Sequence, residues 1–177
     1  MRVRPEACTE TVNPSFLGYR QKHATGSASV SLDFQPKSDN EKSGLLIFQN
    51  EHRFFFLCRS VSEGQSVVQL YSSEGNGAQG EAMKLVATRR LGDGESRNAV
   101  GLRIESHADA YSFLLATRKD GWIVLKEGID ARFLSTRAAG GFVGCMYALY
   151  ATSLGKPSTN WTYVDWFEYT GNDEVYR

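Results

Sequence analysis

The chain has few cysteines, few prolines and no excess of either charge, which removes several classes of function at once. Its three cysteines, Cys8, Cys58 and Cys145, are too few and too far apart in 177 residues to indicate a disulfide framework or a zinc site. The 20 basic and 20 acidic residues balance, so neither nucleic acid nor a membrane surface is indicated as a partner. No apolar run has membrane-spanning length, and the opening MRVRPEACTE is not followed by the apolar segment of a signal peptide.

The length predicts one domain over residues 1–177, large enough to bury a core without disulfides. The sequence does not indicate a compartment. A periplasmic or secreted location would follow if a parent protein carried a signal peptide.

Period-two alternation is the dominant pattern and predicts half-buried β-strands. Apolar and polar residues alternate from residue 27 to residue 34, in SASVSLDF. Similar runs recur along the chain between turn signals such as Asp120-Gly121. Residues 126–139 are expected to be irregular or helical, with a helical turn starting near Leu134-Ser135-Thr136.

Residues 141–152, GFVGCMYALYAT, are almost free of charge and predict a strand that is buried on both faces. We therefore expect Cys58 and Cys145, which lie in such apolar runs, to be buried thiols. Ten or more short strands without a long helical period predict an all-β, two-sheet antiparallel sandwich.

The segment YVDWFE, residues 163–168, is the nearest match to a glycosidase acid arrangement. Glycosidases need two carboxylates that face one sugar ring, whereas in a regular strand Asp165 and Glu168 point to opposite faces. We therefore predict no catalytic residue. We expect Asp165 to be hydrogen-bonded at a strand end and Trp166 to pack in the core.

Metal ligands are not concentrated anywhere in the sequence. His23, His52 and His107 lie far apart and lack ligand spacing, so no metal site and no cofactor are predicted. A structural calcium ion on loop oxygens remains an alternative. Its candidate ligands are Asp33, Asp39, Asp109 and Asp165.

Aromatic side chains are the remaining candidates for ligand contact, because sugar rings stack on Trp and Tyr. Trp122 and Trp161 lie next to turns, while Tyr71 and Tyr111 lie on strands. Core packing is the alternative for each of them.

Three motifs together resemble the C-terminal concanavalin A-like domain of family 43 glycoside hydrolases, the β-xylosidase and α-L-arabinofuranosidase group. NPSFLGYRQKH at residues 13–23 is close to the family's NPSFLxRRQQH, and GLLIFQNE at residues 44–51 is close to GLVLFQNE. GFVGCMYALYAT and the later DWFEY are similar to GFTGAYIGLYAT and FDWFEY. These motifs occur in the family's order and span almost the whole chain.

The resemblance implies a jelly-roll accessory domain that packs against a catalytic β-propeller, which is absent from this chain. It further implies that the domain stabilises the propeller and shapes its entrance for xylo- or arabino-oligosaccharides. It also implies that a loop of the domain helps to close the rim of the substrate pocket, where the family often has an aromatic residue. That position is Met146 here, so Met146 is a candidate rim residue at which this chain departs from the pattern. Arg20, Gln21 and His23 match the family, either as an internal polar network or as a contact between domains. An independent carbohydrate-binding, lectin-like module is the alternative function.

Overall fold

The computed structural model describes residues 1–75, 83–117, 121–140 and 144–172, which form eleven strands and two short helices. The first six strands are β1 Ser15–Arg20, β2 Thr25–Asp33, β3 Lys42–Asn50, β4 Arg53–Ser62, β5 Gln65–Glu74 and β6 Lys84–Arg90. They are followed by β7 Val100–His107, β8 Ala110–Ala116, β9 Ile123–Asp130, β10 Met146–Thr152 and β11 Tyr163–Gly171. A 3-10 helix, Arg132–Leu134, and the α-helix α1, Thr136–Ala139, lie between β9 and β10. The prediction of ten or more short strands is confirmed.

Two antiparallel sheets face each other. One has six strands in the order β1-β10-β3-β4-β5-β6, and the other has five in the order β11-β2-β7-β8-β9. Strands that are adjacent in sequence therefore repeatedly change sheets. This arrangement confirms the predicted all-β sandwich and agrees with a concanavalin A-like fold.

The alternation of β2 places its apolar side chains between the sheets. Ala28, Val30 and Leu32 are at most 1% exposed and belong to the central apolar cluster. Strand β7 contributes Val100, Leu102 and Ile104 in the same way. The period-two pattern thus fixes which face of the five-stranded sheet is internal.

The six-stranded sheet is also apolar on its outer face, where a second cluster lies over β3, β4 and β10. Ala148 and Tyr150 of β10 belong to this outer cluster, whereas Tyr147 and Leu149 point into the central one. The amino-terminal segment covers part of the outer cluster through Cys8, whose backbone N–H donates to the Tyr150 hydroxyl at 2.9 Å. The prediction of a strand buried on both faces is therefore confirmed for β10, while residues 141–143 lie outside the described part of the chain.

Two predictions about local structure need correction. Residues 126–130 belong to β9, because this edge strand accommodates the polar, exposed Lys126 and Glu127 on its open side. The predicted helical turn does form after it, with the Ser135 hydroxyl capping α1 by accepting from the Ala138 N–H. Cys58 is fully buried, but Cys145 is only half-buried because it precedes β10 at the end of the sandwich. The predicted turn at Asp120-Gly121 includes a residue outside the described ranges.

Candidate functional site

One end of the sandwich contains a cavity of about 320 Å³, which we call the end pocket. Four parts of the chain line it: the β1–β2 connection, the β7–β8 turn, the segment around the 3-10 helix and the residues just before β10. Gln21, His23 and Tyr111, three of the residues singled out from the sequence, are among its lining residues. The fold therefore brings together side chains that lie up to 90 positions apart.

Gln21 links two of these parts. The Tyr111 hydroxyl donates to Gln21 Oε1 at 2.8 Å, and Gln21 Nε2 donates to the backbone carbonyl of His23 at 3.0 Å. Tyr111 is only 5% exposed, and burial raises the pKa of its phenol well above the usual range. The hydroxyl thus remains a neutral donor to Gln21. Because Tyr111 lies in the core, its ring offers no face for the sugar stacking suggested by the sequence.

His23 is positioned by Tyr169 on β11. The Tyr169 hydroxyl accepts the backbone N–H groups of Lys22 and His23, each at 3.1 Å, and lies 2.9 Å from His23 Nδ1. Since the hydroxyl already accepts two hydrogen bonds, its own proton is best placed to donate to Nδ1. Gly171 leaves room for the imidazole, because a Cβ at that position would overlap the His23 ring.

Arg20 anchors the start of β10. Its side chain is exposed, and Nη1 donates to the backbone carbonyl of Gly144 at 2.7 Å. Met146, which pairs with Arg20 in the sheet, points to the outer face of the six-stranded sheet. There its sulfur lies 3.4 Å from where a Cβ of Gly18 would be. Met146 therefore directly follows two residues that line the end pocket, Gly144 and Cys145, but its own side chain packs against β1.

Tyr71 lies elsewhere, beside a cavity of about 500 Å³ on the outer face of the six-stranded sheet. Its hydroxyl donates to Gln69 Oε1 at 2.8 Å, and the Lys42 ammonium is 5.0 Å from the centre of its ring. Burial lowers the pKa of Lys42. The interaction between the cation and the ring already occupies one face of Tyr71.

The three tryptophans are all exposed. Trp122 is 38%, Trp161 50% and Trp166 42% exposed, so the prediction that Trp166 packs in the core is wrong. The reason is a β-bulge between Val164 and Trp166, which shifts the alternation of β11 by one residue. Asp165, the extra residue of this bulge, is itself exposed, so the regular-strand geometry assumed for Asp165 and Glu168 does not apply.

Within residues 1–75, 83–117, 121–140 and 144–172, no group of three or more His, Cys, Asp or Glu side chains is arranged to hold a metal ion. In the same described ranges, no helix is both long and apolar enough to cross a bilayer.

Comparisons with known proteins agree with the fold. The profile of the beta xylosidase C-terminal concanavalin A-like domain matches residues 1–170. A xylosidase/arabinosidase of Butyrivibrio fibrisolvens is 34% identical over 167 residues, which are 94% of this chain and 30% of that protein. The non-reducing end alpha-L-arabinofuranosidase BoGH43B of Bacteroides ovatus is 27% identical over 171 residues, which are 96% of this chain and 30% of the relative.

Solved structures give the same result. The structure titled Bacteroides ovatus Xyloglucan PUL GH43B superposes with a TM-score of 0.83 at 25% identity, covering 96% of this chain and 32% of that one. The chain thus spans about 30% of the length of the curated relatives it matches, and corresponds to their non-catalytic accessory part. The chain belongs to the family of beta xylosidase C-terminal concanavalin A-like domains.

Proposed function

We propose that this domain stabilises the catalytic β-propeller of a family 43 glycoside hydrolase and shapes the entrance through which xylan- or arabinan-derived oligosaccharides reach it. Two relatives that share the domain have names that describe a xylosidase/arabinosidase and an alpha-L-arabinofuranosidase. The substrate class of this chain's parent is inferred from those names.

The observation that carries the proposal is the network at the end pocket. Gln21, Tyr111 and Tyr169 connect β1, β8 and β11, and Arg20 ties Gly144 to this frame. Short side-chain hydrogen bonds to backbone groups fix the path of the chain without filling the pocket. A frame of residues held in this way is suited to present a fixed rim to a neighbouring domain, since preorganised elements position a substrate better than free loops.

The Arg20–Gly144 hydrogen bond offers a direct test in a polypeptide that joins this chain to a family 43 propeller. Arg20→Ala is expected to raise KM for a short xylo- or arabino-oligosaccharide about tenfold, with a smaller change in kcat. A tenfold change corresponds to the loss of ~1.4 kcal/mol of substrate-binding free energy. Gly171→Ala, which displaces His23 from Tyr169, should act in the same direction.

Arg90→Ala is the matched control. Arg90 is an exposed arginine at the end of β6, the opposite edge of the same sheet from Arg20, and it forms an ion pair with Glu63 in the β4–β5 turn. Its replacement should leave KM unchanged. Unaltered KM in both Arg20→Ala and Gly171→Ala would refute a role in the entrance, and release of sugar by the isolated chain would refute the accessory role.

A further inference from the structure

All three tryptophans of the chain are solvent-exposed, which is unusual because Trp is highly buried on average. Trp122, Trp166 and Tyr163 lie on the outer surface of the five-stranded sheet, and Trp161 lies just before β11. Tyr163 is 62% exposed. We call the surface formed by Trp122, Trp161, Tyr163 and Trp166 the tryptophan face.

The bulge in β11 aligns the aromatic residues on this strand. Tyr163 pairs with Asp33 and Trp166 pairs with Ser31, two positions apart on β2, so both point to the outer side of the sheet. Without the extra residue Asp165, position 166 would point inward. Thr162 is fully buried, so the alternation of an extended chain turns its neighbour Trp161 to the same side as Tyr163.

Trp122 approaches the face from the opposite edge. Two atoms of its six-membered ring lie 3.3 and 3.4 Å from where a Cβ of Gly101 would be, so the indole extends over β8 onto β7. The Arg103 guanidinium lies over one face of the ring, 5.4 Å from its centre. A side chain larger than glycine at position 101 would displace this ring.

The floor between the aromatic side chains is made of small and polar residues, apart from the buried Leu114. One row across the strands runs Trp166, Ser31, Gly101 and Ala116, and the next runs Glu168, Ser29, Arg103 and Leu114. Strands lie about 4.8 Å apart, so β11 and β7 are separated by roughly 10 Å, comparable with the length of a disaccharide.

We propose that the tryptophan face is a binding site for a neutral oligosaccharide or polysaccharide chain, a role beyond that proposed above for the end pocket. Sugar rings have apolar C–H faces and polar rims, which match exposed indoles beside hydroxyl, carboxylate and guanidinium groups. Trp166 and Trp122 stack on two separate rings of one sugar chain, while Arg103, Glu168 and Ser31 hydrogen-bond to its hydroxyls.

The charges of the floor favour a sugar over a protein partner. Arg103 forms an ion pair with Glu105 at 3.0 Å, and Glu168 lies in the same row of the sheet as Arg103. The core of a protein–protein interface is depleted in charged residues, whereas polar hydroxyls can bond with either sign of charge. The mixture of charges also disfavours a polyanion.

The test is affinity electrophoresis and calorimetry of the chain with soluble arabinoxylan and linear arabinan, with dextran as the non-target polysaccharide. Binding to arabinoxylan or arabinan should be saturable and should change the tryptophan fluorescence. Trp166→Ala and Trp122→Ala should each weaken it about tenfold, the loss expected when one aromatic face no longer covers a sugar ring. Trp166→Phe should retain most of the affinity.

Leu85→Ala is the matched control, because Leu85 is 47% exposed on β6 of the other sheet. It should bind like the unmodified chain, and thermal unfolding should show that all variants are folded. Absence of binding, or binding unaffected by Trp166→Ala and Trp122→Ala, would overturn the proposal. A further result would overturn it as well: if a joined catalytic domain protects the tryptophans from quenching by acrylamide, the tryptophan face is a contact between domains.

Discussion

The buried Arg59 allows the balance between desolvation and hydrogen bonding to be tested in this fold. Arg59 is 0% exposed, and burial lowers the pKa of its guanidinium. Four hydrogen bonds join it to uncharged oxygens: Ser66 Oγ at 3.3 Å, Gln35 Oε1 at 3.3 Å, the Asn98 carbonyl at 2.8 Å and the Ser96 carbonyl. The side chain thus holds the β6–β7 connection against β4.

Two substitutions at this position should differ in a defined order. Arg59→Met leaves two carbonyls and two side-chain oxygens, all of partly or fully exposed residues, without this donor, but it also removes a desolvated charge, so we expect a net loss of about 2 kcal/mol. Arg59→Lys keeps the charge but cannot reach all four oxygens from one ammonium, so its loss should be larger, about 3 kcal/mol or more.

Urea unfolding followed by tryptophan fluorescence measures both losses. Thermal unfolding should show a decrease in Tm of about 4–8 °C for Arg59→Met, at roughly 2–4 °C per kcal/mol for a domain of this size. A lysine variant as stable as the unmodified chain, or more stable than the methionine variant, would show that the fork of hydrogen bonds is not what stabilises this connection.

Two further predictions concern acid and thiol chemistry. Burial raises the pKa of the Glu41 carboxyl, but hydrogen bonds from Ser158, the Lys37 N–H and Asn160 outweigh it, so the pKa is lowered from 4.5. The stability that the ionised Glu41 provides is therefore present above about pH 4.5 and lost at lower pH. The difference in the free energy of unfolding between the unmodified chain and Glu41→Gln, measured in urea, should shrink from pH 6 to pH 3. A difference that stays constant would contradict the assignment. Burial raises the pKa of Cys145 to about 11, so this half-buried thiol should react slowly with a disulfide reagent in the folded chain. The buried thiols of Cys8 and Cys58 should react only after unfolding. Fast labelling of all three cysteines would contradict the fold.

Sequence reasoning reached the fold because alternation carries direct information about which side of a strand is buried. Ala28, Val30 and Leu32 are internal as predicted, and β10 is apolar on both faces because the amino-terminal segment covers part of the outer face of its sheet. The pairing of Gln21 with Tyr111 was not predictable, since the two residues come together only through the arrangement of strands in two sheets. The sequence indicates separate roles for the two residues.

The error at Trp166 has one physical cause. A bulge inserts a residue without a local sequence signal strong enough to reveal it, and every position beyond it then changes face. The glycines that matter were equally hidden: Gly101 makes room for Trp122 and Gly171 makes room for His23, which only the packed structure shows. Close contacts of this kind depend on the neighbouring strand, so they leave no periodic pattern in the sequence.

The same bulge gives β11 two separable roles. Phe167 and Tyr169 point inward, where Tyr169 contacts Tyr19 at 5.1 Å between ring centres and positions His23, while Trp166 and Glu168 point outward. Substitutions on the inward side should therefore change stability and the end pocket, and those on the outward side should change glycan contact alone. Because adjacent residues of one strand point to different faces, we expect the two proposed functions to be lost independently, although both faces depend on a single register.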